Sequence, residues 1–442
     1  MTYISNTDAQ RREMLQAIGH TMDELFAVIK PELAPKSFNL PAGKSELEVY
    51  RYFSRLAAKN RSDLVSFMGG GFYDHFIPAA VEGILSRGEF FTAYTPYQAE
   101  ASQGSLQAIY EFQSSIARLT GMDVANASLY DGGTALYEAA MMAVHITGRR
   151  KIVIDGAVNP IYRTQMETYT RNLEIQFKEV PNRSGHIDRE RLAREIDSET
   201  AAVIVQNPNF FGLVEDYTDV GDLAHKAGAL LVVSFYPISL GILKTPAEMG
   251  ADIATGEGQS LGLALNFGGP YLGLMATRKE HVRKMPGRLV ARTTDDKGRQ
   301  AFTLSLQARE QHVRRAKATS NICTNESLCA LGALVYMSLM GKEGLREVAG
   351  LCAAKAAYAH KRLAAIPGVS FPFEGPFFNE FVVELPRAAA DVASDLIEHG
   401  FAAGFPLSKY FRHRDNSLLV AFTEKHSRQD VGRFAETLEG LL

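Results

Sequence analysis

Two glycines and a threonine at a helix start are one place in the chain where an anion could be held. Ser128-Leu129-Tyr130-Asp131-Gly132-Gly133-Thr134 runs into a helical pattern whose apolar positions include Ala135, Leu136, Ala139, Ala140 and Met142. Backbone N–H groups at such a start, with the Thr134 hydroxyl, can hold an anion, and a cofactor phosphate is a common one. The same residues also fit a glycine-containing loop whose threonine caps the helix. Gln206, Asn207 and Asn209 follow an apolar strand, at the edge where open α/β sheets place ligands. Their amides suit a ring or carboxylate contact and a turn equally well. A third group, Tyr94-Thr95-Pro96-Tyr97-Gln98, combines hydroxyls and an amide with large apolar area, as an interface pocket requires. Those tyrosines could instead close the core beneath their own loop.

Other chemistries lack their residues. H-E-x-x-H does not occur and His75, His145, His225, His281 and His312 stand singly, so no metal site is expected. Neither a P-loop nor a convincing G-x-G-x-x-G is present. With 47 basic and 50 acidic residues the net charge is -3, which gives nucleic acid no global attraction. One local basic excess spans residues 278–317 and includes Arg283, Lys284, Arg288 and Arg292, readable as a solvated face or as a docking surface for an acidic partner. Cys323, Cys329 and Cys352 lack C-x-x-C spacing and are expected to be reduced core residues. The polar, mixed-charge residues 1–16 do not resemble a signal peptide, and no run of about 18 apolar residues occurs, so a cytoplasmic protein without a membrane partner is expected.

The framework that must position these groups reads as α/β. Residues 8–59 are helical and amphipathic, with Met14, Ile18, Met22, Leu25 and Phe26 at helical spacing and breaks at Pro31, Pro35 and Pro41, predicting an arm over 1–65. Apolar strands at 151–154, 201–205 and 229–233 alternate with helical patterns at 189–196 and 219–227, predicting a mostly parallel sheet covered on both faces within a large domain, 66–325. A long apolar helix from Thr319 to about Met340 leads into strand, helix, strand, helix at 378–383, 390–399, 417–422 and 428–438, predicting a smaller α/β domain over 326–442.

Several long runs resemble the glycine-cleavage-system P-protein family: Ser66-Phe67-Met68-Gly69-Gly70-Gly71-Phe72-Tyr73-Asp74, the segment from Tyr94 to Gly104, Ala125-Asn126-Ala127-Ser128, and Arg309-Glu310-Gln311-His312-Val313-Arg314-Arg315 with Ala318 to Thr324. The resemblance implies the aspartate-aminotransferase-like fold of pyridoxal-phosphate-dependent transferases, fold type I. In that design the segment from Gly250 to Ser260 ends in the lysine that binds the cofactor as an imine, and the strand ending Val232-Val233-Ser234 ends in an aspartate that pairs with the ring nitrogen. Here both places hold serine. A serine hydroxyl cannot form the imine and carries no charge for the ring nitrogen.

Length and the missing lysine match the α subunit of the two-chain form of this family. The resemblance then implies glycine decarboxylation and transfer of the aminomethyl group to the lipoyl arm of the H-protein, with pyridoxal 5'-phosphate on the β subunit and none on this chain. It places the chain in one system with the T-protein and L-protein. Ser260 and Ser234 leave no catalytic residue here, and Tyr94, Thr95, Tyr97 and Gln98 become candidates for completing the β subunit's pocket. Two other readings compete: a scaffolding or regulatory pseudoenzyme, and an independent cofactor enzyme using another lysine, with Lys244 as the nearest candidate.

Overall fold

The computed structural model describes residues 5–37 and 39–442; residues 1–4, where the expected arm begins, and residue 38 within it lie outside the described residues. The chain divides into two compact units, Met1–Ser62 and Asp63–Leu442.

The first unit is helical. Its helices Asp8–Ile18, Met22–Leu25 and Glu46–Ala57 each begin with a reciprocal cap, Thr7 with Gln10, Thr21 with Glu24 and Ser45 with Glu48. Each cap satisfies two backbone groups that the first turn leaves open. None of these helices has a buried residue, and Met14, Ile18, Leu25, Phe26, Leu47 and Phe53 stand exposed.

The second unit is built on a seven-stranded sheet, whose first strand follows helix α1 (Gln103–Thr120). In chain order its strands are β1 (Val124–Ala125), β2 (Lys151–Asp155), β3 (Gln176–Val180), β4 (Thr200–Asn207), β5 (Leu230–Phe235), β6 (Ile253–Glu257) and β7 (Gly273–Thr277). Their spatial order is β1-β7-β6-β5-β4-β2-β3, with β7 antiparallel to β6 and to β1 and the other pairs parallel. The central strands are continuous apolar runs because both faces are covered. Ile152, Ile154, Ala202, Ile204 and Val232 face helix α2 (Gly132–Thr147) through Leu136, Ala139, Ala140 and Ala143. Val153, Val203, Val205, Leu231 and Val233 turn the other way, onto Val220 and Ala224 of the helix Thr218–Lys226.

The helix Ser327–Leu363 extends well beyond the predicted end at Met340. Gly341, at φ 60° and ψ -171°, breaks it into two stretches, a conformation open to glycine and awkward for other residues. By length and composition it is the one described helix that could cross a membrane. Its Ala330, Ala333 and Tyr336 pack in a core with Tyr73, Phe112 and Phe235.

The C-terminal elements form as read: strands Glu380–Glu384 and Ser417–Ala421 are antiparallel neighbours, and helices Ala389–Glu398 and Arg428–Leu441 cover them. Val65–Ser66 pairs in parallel with Phe401–Ala402, so the segment after the arm is tied to this C-terminal part.

Gly212 joins the two halves of the second unit. Its carbonyl accepts the Phe378 N–H at 3.2 Å, its φ is +88°, and a Cβ there would overlap the carbonyl oxygen of Glu380. Gly212→Ala is therefore expected to destabilise the fold by about 3 kcal/mol or more, read as a lower urea midpoint; an unchanged midpoint would show that the junction yields freely.

Candidate functional site

The site lies where β5 and β6 end and α2 begins. Asp131 caps α2: its carboxylate accepts the Thr134 N–H and the Thr134 hydroxyl, each at 2.8 Å. The expected threonine cap is corrected by this geometry, because Thr134 sits one turn too late to cap the helix and donates to the cap instead. Gln165 Nε2 donates to the same hydroxyl oxygen at 3.1 Å. The Gly132 N–H donates at 2.8 Å to Glu257, the last residue of β6. The other oxygen of that carboxyl accepts the Gln259 N–H at 3.0 Å and the Leu272 N–H at 3.1 Å.

Burial pushes the Glu257 carboxyl up to about 8, and nearby Asp131 adds to the shift although the backbone N–H groups oppose it. A glycine is required at 132, since a Cβ would lie 2.6 Å from the Tyr162 hydroxyl and 2.9 Å from the Glu257 Cβ.

Ser234 is buried on β5, paired in register with Thr255 of β6. Ser260 follows β6 in a turn, and its buried hydroxyl has no hydrogen-bond partner, as is also true of Thr255. Between them, Gln259 accepts the Tyr73 N–H at 3.0 Å and donates to the Leu263 carbonyl at 2.7 Å, which fixes the turn. The amides at the end of β4 and just after it serve the backbone: Gln206 accepts from Asn159 N–H, Asn207 from Glu215 N–H, and Asn209 from Phe211 and Leu213 N–H. Lys244 donates to Asp216 at 2.9 Å and to Thr218 at 2.7 Å, a tie within its own surface.

The aromatic loop divides into two kinds of residue. Tyr94 is 76% exposed and Gln98 is exposed, while Thr95 is half-buried and Pro96 is buried beneath them. Tyr97 is held by its own chain: its hydroxyl accepts from Arg288 Nη2 at 3.1 Å, and that guanidinium lies 5.5 Å from the Tyr97 ring centre. Arg288 is 3% exposed and 3.9 Å from Glu310, which corrects its reading as part of an exposed basic surface. Arg283 and Lys284 remain exposed. Cys323 is exposed too, against its expected place in the core, and all three cysteines are free.

Comparison with known proteins places this arrangement. The sequence profile of the glycine cleavage system P-protein matches residues 1–438. The chain belongs to that family. It is 53% identical to the "Probable glycine dehydrogenase (decarboxylating) subunit 1" of Oleidesulfovibrio alaskensis and 54% identical to the protein of the same name from Geotalea daltonii, each match covering 100% of both chains. A crystal structure of glycine decarboxylase (P-protein) of the glycine cleavage system, in inhibitor-bound form, superposes with a TM-score of 0.94 at 43% identity over 100% of both chains. A glutamate decarboxylase from Lactobacillus brevis has a TM-score of 0.69 at 13% identity, covering 92% of this chain and 94% of its own, a likeness of fold alone. The P-protein chain thus has the type I fold of pyridoxal-phosphate-dependent enzymes, with a mostly parallel large sheet and a smaller C-terminal α/β part.

The residues of this P-protein chain do not fit that cofactor. Ser260 offers no amine and Ser234 no charge, and at the start of α2 the Gly132 and Thr134 N–H groups are already taken by Glu257 and Asp131. A phosphate arriving there would meet the carboxyl groups of Glu257 and Asp131.

A second buried group in the P-protein chain has no signature in the sequence. His75 Nδ1 lies 2.7 Å from Glu424, its Nε2 meets the Tyr236 hydroxyl, and Cys352 Sγ is 3.6 Å from Glu424. Both imidazole nitrogens are thereby engaged. Nearby, the Tyr73 hydroxyl donates to Glu380 at 2.6 Å. These partners are 72 to 349 residues apart, and only the side-chain types are legible in the chain.

Proposed function

We propose that this chain is the lysine-free half of a two-subunit glycine-decarboxylating enzyme and completes an active site whose lysine and pyridoxal phosphate belong to the partner subunit. The enzyme releases the glycine carboxylate as carbon dioxide and passes the aminomethyl group to the lipoyl arm of the H-protein, with the T-protein and L-protein acting in the same system. One observation carries the reading: the chain's own cofactor place holds no amine and no ring-nitrogen acid, and its Gly132 and Thr134 N–H groups are taken by carboxyl groups, while Tyr94 and Gln98 stand exposed on a loop whose base is fixed by Pro96 and by the Tyr97–Arg288 pair. Rigid support under exposed polar groups suits residues that must meet a substrate in another chain's pocket. The uncovered Met14, Ile18, Phe26 and Phe53 of the first unit are apolar surface of the kind that subunit interfaces bury.

Reconstitution tests this directly. Each subunit alone and the two together are assayed for carbon dioxide release from carboxyl-labelled glycine with lipoyl H-protein. Activity only in the mixture is expected; a partner subunit fully active alone would leave the scaffolding reading in its place.

Arg283 and Lys284 are adjacent exposed residues of the basic stretch, in which Arg292, Lys297, Arg299, Arg314, Arg315 and Lys317 are exposed as well, and this supports a role in docking the H-protein or the partner subunit. Reversing both to glutamate is expected to weaken binding of one of them several-fold, most at low salt, because exposed charges act over a Debye length of about 8 Å at physiological ionic strength. Titrations at two salt concentrations check this, and affinities unchanged for both partners would reduce the stretch to a solvated face.

A further inference from the structure

The anion cradle at the start of α2 is occupied, and its occupant is the chain itself. Three backbone N–H groups from three segments converge on one buried carboxyl: Gly132 at the helix start, Gln259 in the turn after β6, and Leu272 just before β7. The first and last of these donors lie 125 and 15 residues from Glu257 in sequence, so tertiary structure, not local chain geometry, gathers them. Such donors are well suited to an anion, and left buried without a partner they would be costly. Glu257 meets all three, and Gly132 leaves no room for any side chain between them.

We propose that Glu257 is a built-in occupant of this cradle, one that takes the donors a phosphate monoester would use and so closes the chain to phosphate-bearing ligands. The inference deepens the reading that this subunit carries no cofactor of its own. It gives the loss a second component: restoring a lysine at 260 would supply the amine and still leave these three donors taken by Glu257. It also explains how a site that has lost its cofactor stays filled and folded, since an empty nest of buried N–H groups would favour opening of the fold around it.

The test uses the full chain and three probes: inorganic phosphate, pyridoxal 5'-phosphate, and pyridoxal without the phosphate. Glu257→Ala removes the occupant and frees the three donors. With phosphate at about 10 mM, matched in ionic strength by chloride, the wild-type melting temperature is expected not to move, whereas that of Glu257→Ala rises by a few degrees with saturable binding in the millimolar range or tighter. Pyridoxal 5'-phosphate should reproduce the shift and pyridoxal should not, which separates recognition of the phosphate from recognition of the ring. A folded Glu257→Ala chain indifferent to phosphate would overturn the proposal, and so would wild-type protein that binds phosphate as well as the variant does.

Should Glu257→Ala fail to fold, Glu257→Ser, smaller than glutamate yet still polar, is titrated in the same way. If that variant fails too, refolding yields in phosphate and in chloride decide: a several-fold gain in phosphate supports the occupied cradle, and equal yields refute it. None of these readouts involves glycine turnover, so failure of the two-subunit reading would appear in the reconstitution assay and not here.

Discussion

Glycine turnover by the reconstituted complex is expected to fall at least about tenfold when Tyr94→Phe and Gln98→Ala are combined, with assembly and folding unchanged. Tenfold corresponds to about 1.4 kcal/mol of lost transition-state stabilisation. Tyr94 is exposed, so removing its hydroxyl leaves no buried group unpaired, and the phenyl ring keeps nearly all the apolar area. Gln98 is exposed as well and its loss opens no cavity. What the pair of changes removes is polar contact with whatever the loop faces in the complex, and positioning contacts act mainly on the transition state.

Tyr97 must be left intact in this experiment. Its hydroxyl accepts from Arg288, a guanidinium that is almost wholly buried, and Tyr97→Phe would strip a buried charge of a partner. A drop seen in that variant would report on the loop's foundation. Wild-type turnover in the Tyr94, Gln98 double variant, in a complex shown to be intact, would favour a scaffolding subunit.

The contrast between Tyr94 and Tyr97 also shows where sequence reading ends. Both tyrosines carry the same types of atom at nearly the same place in the chain, and only the burial of Arg288, 191 positions from Tyr97, separates their roles. The central strands are legible because a strand buried on both faces is a continuous apolar run, as in Ala202-Val203-Ile204-Val205. β3 is not, since Gln176-Phe177-Lys178-Glu179-Val180 lies at the sheet's edge and only Val180 is buried, which leaves no apolar run to read.

Within the basic stretch the antiparallel pair Leu289–Thr294 and Gln300–Ser305 is not legible either, because Arg292 and Arg299 point to surface charge and mask the strand alternation. The missing lysine can be read from one position. Glu257 stands only three residues before it, yet its role cannot be read, because a carboxyl's meaning there depends on a backbone N–H brought from Gly132 by the fold.

Stability should fall as pH rises from about 5 to 8, opposite to the trend of a protein held together by surface ion pairs. Burial raises the carboxyls of Glu257 to about 8, of Glu380 to about 7 and of Asp155 to about 7, against ordinary values of 4.5, 4.5 and 3.8. Between the ordinary and the raised values the folded chain holds protons that the unfolded chain has released, so raising the pH favours unfolding. The stabilisation is fully present below about pH 4 and is lost as each group passes its folded value. A tenfold gain in a carboxyl's proton affinity on folding corresponds to about 1.4 kcal/mol at most, so the loss across the window amounts to several kcal/mol.

Glu424 acts in the opposite sense. Burial alone would raise it, but the hydrogen bond and charge of His75 and the Phe76 N–H outweigh that and hold it at about 2. Its contribution is lost as pH falls from 4.5 toward 2, so these four carboxyls together favour the folded chain most near pH 4 to 5. Urea midpoints measured from about pH 3 to 9 test the shape. Glu380→Gln should lower stability at about pH 5, where the Tyr73 hydroxyl loses its best acceptor, and flatten the decline between about pH 6 and 8, since one of the groups that must ionise is gone. A midpoint that rises steadily to about pH 8, in wild type or variant, would mean that these carboxyls are ionised in the folded chain and that the cradle around Glu257 holds a charge.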